Sequence, residues 1–201
     1  GGVYINSGTF TMTDGKITGN TSARYGGGVS VASSGTANMR GGEITGNNST
    51  STYDAISAGG VYVDSSGNFT VSGTVKILDN YKNGTLKDGV YVQGADSVKG
   101  NLYLAGSGKE NDTSSFATIT IEKGLTENSR IDVSKSSNYL PTPEQNIIIA
   151  TGADNSKLDY TKIFGSDVAD QGYTIGQTGS KLYLMAHQHS WNYTQSEDGA
   201  T

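Results

Sequence analysis

The phrase Gly59-Gly60-Val61-Tyr62-Val63 decides the fold, because it also stands at Gly27-Gly28-Val29-Ser30-Val31 and at Gly1-Gly2-Val3-Tyr4-Ile5. A shortened form follows at Gly89-Val90-Tyr91-Val92. Each full copy leads to a second phrase, Gly8 to Met12, Gly35 to Met39 and Gly67 to Val71. A third phrase closes the unit: Ile17-Thr18-Gly19-Asn20, Ile44-Thr45-Gly46-Asn47 and Ile77-Leu78-Asp79-Asn80. From valine to valine the period is 26, then 32, then 29 residues. Self-similarity at this length marks stacked repeat units whose loops absorb changes in length.

Inside each phrase apolar residues alternate with polar or aromatic ones, as in Val3, Tyr4, Ile5 and Phe10, Thr11, Met12. Period two means strands with one face in and one out. Val, Ile, Thr and Tyr suit strands, and Gly punctuates them. Each unit is therefore expected to supply three short strands and three corners. Stacked units would set Val3, Val29, Val61 and Val90 in one inner column, roughly 4.8 Å apart. The expected architecture is all-β, a right-handed parallel β-helix, since parallel crossovers are nearly always right-handed. Asn20, Asn47 and Asn80 end equivalent strands and read as a structural ladder at one corner. Lys16, Glu43 and Lys76 precede equivalent isoleucines and read as a ladder of alternating charge.

Residues 1–104 are read as the regular repeats. Residues 105–186 are read as irregular final units and a cap, with strands at 115–122, 129–133, 146–151, 173–177 and 181–185. A short helical turn is expected between Leu158 and Phe164. Residues 187–201 are read as a linker or the start of another module. The chain opens in mid-repeat at Gly1, which suggests a piece cut from a longer secreted or wall-anchored protein.

Composition narrows function. The chain has 201 residues, 29 of them Gly, and no Cys, which excludes disulfides and thiolate metal sites. Apolar residues are 33% and charged residues 16%, both low, which suits a thin stack with a narrow core. A net charge of −5 argues against a nucleic-acid partner, which wants clustered Lys and Arg. No apolar run is long enough for a membrane-spanning helix.

The paired Gly-Gly-Val and Ile-x-x-Asn phrases of residues 1–92 resemble the repeats of chlamydial polymorphic outer-membrane proteins. They are also similar to repeat-rich surface proteins of gut Firmicutes. The resemblance implies a pectate-lyase-like β-helix, an extracellular, cell-surface location and adhesin-like roles.

Two functional readings follow. The first is a non-catalytic surface scaffold or stalk that contacts host glycans or proteins, with no cofactor, no metal and no membrane insertion. Its expected ligand face is an outward aromatic column, Tyr4, Tyr62, Tyr91 and Tyr103, interrupted by Ser30. Tyrosines along an exposed sheet also stabilise it without a ligand. The open first unit offers an edge for end-to-end association. The alternative is a polysaccharide lyase or hydrolase. Hydrolysis needs two carboxylates about 5 to 9.5 Å apart. Asp14, Glu43, Asp54, Asp64, Asp79 and Asp88 do not share a repeat position, so no catalytic residue is assigned. His187 and His189 lack a third ligand and read as an ordinary surface pair.

Overall fold

The computed structural model describes residues 1–52, 57–106, 116–135, 140–154 and 158–186. Asp54, the polar loop at 109–115 and the tail 187–201 with both histidines lie outside them. The described chain is all-β with long parallel sheets.

The repeated phrases pair in register. Val3 faces Val29 and Val29 faces Val61; Ile5, Val31 and Val63 align two residues on. In the second phrase Phe10, Ala37 and Phe69 align, as do Met12, Met39 and Val71. In the third, Ile17, Ile44 and Ile77 align. All these pairings are parallel. A slip of one residue would turn every inner valine outward, so burial itself fixes the register. The inward residues form one core that runs from Ile5 to Leu184. Each fully buried Val, Leu, Ile or Phe contributes roughly 1.5–3 kcal/mol.

The first corner is softer than the repeat suggests. Phrases one and two run together as single strands, Val3–Met12 and Val29–Met39, with a register shift between Ile5 and Ser7. Only the third unit breaks there, into Val61–Val63 and Asn68–Val71, where the Gly67 amide donates to the Asp64 carbonyl at 2.8 Å.

The second glycine of each opening phrase is tied to the asparagine that closes the unit. A Cβ on Gly60 would stand 2.8 Å from Asn80 Nδ2 and 2.3 Å from the Asn101 carbonyl oxygen. One on Gly28 would meet Asn47 Nδ2 at 3.0 Å. The glycines leave the space that the asparagine amides occupy.

The fourth phrase departs from expectation. Val90 does not join the inner column. Val90–Val92 pairs antiparallel with Thr85–Lys87 in a hairpin, with Tyr91 opposite Leu86. The cause is local: Asp88 and Gly89 have φ of 50° and 80°. An Asp-Gly pair with both residues left-handed makes the two-residue hairpin turn that matches strand twist. The fourth place in the column belongs to Leu102–Leu104: Val61 faces Leu102, Tyr62 faces Tyr103 and Val63 faces Leu104. Residues 83–99 are thus an insertion between the third and fourth units.

Beyond Leu104 the columns continue through Ile119–Ile121, Arg130–Ser134, Ile147–Thr151 and Phe164–Ser166, all in parallel pairing. The sheet then changes sense. Lys181–Ala186 pairs antiparallel with both Ile147–Thr151 and Tyr173–Thr178. Such a hairpin ends the parallel stacking, because its strands run against the repeat. One helical turn, Tyr160–Ile163, buries Tyr160 and Ile163 against the core, and the Asp159 side chain accepts from the Thr161 amide at its start.

Candidate functional site

Of the expected side-chain columns, the asparagine ladder and the tyrosine column differ in kind. The asparagine ladder is continuous. Asn20 Nδ2 donates to Asn47 Oδ1 at 3.0 Å, and Asn47 Nδ2 to Asn80 Oδ1 at 2.9 Å. Each Oδ1 also accepts the preceding asparagine's backbone N–H, at 3.1 Å in both cases. The second amide hydrogen is used as well: Asn47 Nδ2 reaches the Ile17 carbonyl and Asn80 Nδ2 the Ile44 carbonyl, both at 2.8 Å.

Two members escaped the sequence reading. Asn101 accepts from the Asn80 amide at 2.8 Å, and Asp167 then accepts from Asn101 N and Nδ2 at 2.7 and 2.6 Å. Ser134 Oγ also donates to Asp167. Burial pushes the Asp167 carboxyl up, against the lowering effect of these bonds. Asn101 had a sequence signal: it precedes Leu102-Tyr103-Leu104 where other units carry glycine. Asp167 had none, since it comes from a distant segment. The inner amides of the ladder, Asn47 and Asn80, are wholly buried and fully engaged, so the ladder is structural.

The tyrosines are not one exposed stripe. In register the column runs Tyr4, Ser30, Tyr62, Tyr103. Tyr62 and Tyr103 are 6% and 2% exposed and stack at 5.9 Å with rings 4° apart. They form a second small core with Ala58 and Ala105. Burial, followed by the charge of Asp64, pushes the Tyr62 phenol up. Tyr91 lies in the inserted hairpin, outside the column, because of the Asp88-Gly89 turn. Tyr4 alone of the four is open, at 64% exposure.

Ser30 interrupts the column. Its small side chain, tied to Gly26 by bonds of 2.9 and 3.2 Å, separates Tyr4 from Tyr62. A groove of about 270 Å³ opens there, lined by Tyr4, Asn6, Tyr25, Ser33, Tyr62 and Asp64. Tyr25, which the sequence reading did not single out, packs on Tyr62 at 4.9 Å with Arg24 5.4 Å above its ring. Its φ is 55°; the other described non-glycine residues with positive φ are Asp79, Asn83 and Asp88. Asx residues tolerate that conformation, whereas a tyrosine there costs roughly 1–2 kcal/mol. The strain is held where an aromatic ring walls a groove. Opposite it, Asp64 Oδ1 accepts from Ser33 at 2.8 Å and Ser65 at 3.3 Å. Tyr4 donates to Asn6 Oδ1 at 3.3 Å.

The charge ladder forms as spaced. Glu43 bridges Lys16 at 2.9 Å and Lys76 at 3.2 Å. Hydrogen bonds from these two lysines hold its carboxyl below the usual range. Among the described residues no group of three His, Cys, Asp or Glu side chains is placed to hold a metal ion, and no helix is long and apolar enough to cross a membrane. No known protein family, curated protein or solved structure matches this chain.

Proposed function

We propose that the chain is a right-handed parallel β-helix acting as a non-catalytic cell-surface scaffold, and that it contacts glycans through the groove between Tyr4 and Tyr62. The observation that carries this reading is the groove's lining. An open aromatic face at Tyr4, a second ring at Tyr25 and hydrogen-bonding groups at Asn6, Ser33 and Asp64 surround one concave site. A sugar presents an apolar face that stacks on an aromatic ring, and hydroxyls that bond to carboxylate and amide oxygens. The parallel pairing of successive repeats supports the β-helix, and the resemblance to bacterial surface repeats supports the location.

The test is a glycan-array screen of the protein, of Tyr4→Ala and of Asp64→Asn. The expected result is a specific glycan signal that both substitutions remove while the unfolding temperature stays put. A signal unaffected by either change, or no glycan signal at all, overturns the glycan-contact reading.

A further inference from the structure

A second concave site lies at the far end of the ladder. It is a cleft of about 160 Å³, lined among others by Lys82, Lys99, Lys135, Tyr103, Ser134 and Asp167. Lys135 directly follows the strand Arg130–Ser134 and is 6% exposed. Its ammonium donates to the Leu104 carbonyl at 2.6 Å and sits 3.8 Å from the centre of the Phe116 ring. A carbonyl and a ring face attract a cation, but neither neutralises it. Among the described residues neither Lys135 nor Lys99 has a carboxylate partner within salt-bridge distance.

Asp167 is the only acid among the described lining residues, and its oxygens are committed to Asn101 and Ser134. Burial also pushes the Lys135 ammonium down, to about 7, as expected of a buried cation lacking a counter-charge. Burying a charge without a partner costs free energy that an incoming anion recovers. The volume holds several waters or one small anionic group.

From this arrangement we infer that the Lys99–Lys135 cleft binds the oxyanion, carboxylate or sulfate, of an acidic sugar. The Ser134 and Tyr103 side chains line the same space. The site is separate from the Tyr4 groove and does not depend on it.

The experiment follows the Lys135 side-chain NMR signals at pH 6, where a group titrating near 7 is charged. The probes are glucuronate, glucose 6-sulfate and inorganic sulfate, with glucose as the neutral control. At least one acidic sugar is expected to shift Lys135 saturably, and glucose is expected not to. Lys99→Gln should weaken binding by about tenfold, the loss of roughly 1.4 kcal/mol. Lys135→Met should abolish it, and Tyr4→Ala should leave it unchanged. If Lys135→Met does not fold, the wild-type shifts and Lys99→Gln decide. Absence of a shift with both acidic sugars overturns the inference, as does a response to inorganic sulfate alone. Equal affinity in Lys99→Gln overturns it as well.

Discussion

The asparagine ladder and the tyrosine column pass through the same repeats and come to opposite ends. The ladder is repeated without interruption from Asn20 to Asn101 and closes on Asp167. The tyrosine column is broken at Ser30, buried on one side of the break and open on the other. An amide carries both donor and acceptor, so identical residues can satisfy one another from unit to unit. That closure leaves nothing for a ligand. Aromatic rings stack but have no such closure, so a single small residue is enough to open a groove. In this molecule regular repetition marks structure, and the interruption marks the candidate site.

The sharpest way to break the comparison is to cut each column where it is buried. Asn80→Ala removes the acceptor of Asn47 N and Nδ2 and the donors to the Ile44 and Leu78 carbonyls. Leaving such groups unpaired costs about 1–3 kcal/mol each where water cannot reach. We expect a loss of about 3 kcal/mol or more in urea unfolding. Tyr103→Ala should cost about 3 kcal/mol by the same assay, because it empties the place beside the Tyr62 ring. A loss below about 1 kcal/mol in either would show that the column is not structural.

Asp167→Asn sharpens the ladder's end. The folded-state pKa of Asp167 lies above its unfolded value, so the folded protein holds the proton more tightly. Its contribution therefore falls as pH rises from the ordinary aspartate range through the raised folded value. An asparagine carries no charge and has one acceptor oxygen, the arrangement by which Asn47 and Asn80 each take both the backbone and side-chain N–H of the preceding asparagine. The variant is expected to match or exceed the wild type at pH 7 and to lose that part of the pH dependence, as read from unfolding curves at several pH values.

Glu43→Gln should cost less than about 1 kcal/mol, since the ion pairs are half exposed. The folded pKa of Glu43 is lowered, so its contribution is present above the ordinary glutamate range and fades as pH falls through the folded value. The difference from wild type should also shrink in high salt. The smallest stability effect belongs to Tyr4→Ala, which should leave unfolding unchanged within about 0.5 kcal/mol. A large loss there would make the open tyrosine structural and remove the contrast with Tyr103.

Much of the framework was legible from local chemistry. The alternation in Val29 to Val31 and Val61 to Val63 specifies strands with an inner face, and the phrase spacing specifies which strands meet. The three asparagines could be read because each ends an equivalent phrase. The fourth phrase misled because Gly89 to Val92 matches the repeat in letters, while Asp88-Gly89 satisfies a stronger rule, the hairpin turn.

The sequence alone determined the strand alternation and the register of the first three units, because these follow from the side-chain period within each repeated phrase. Only the tertiary structure decided which face of the tyrosine column is covered, that Tyr25 walls a groove, and that Asp167 and Lys135 meet at one cleft. Those outcomes depend on contacts between segments far apart in the chain, such as Asn101 with Asp167 and Leu104 with Lys135. Burial and charge balance belong to such assemblies of segments, and no single repeat carries them.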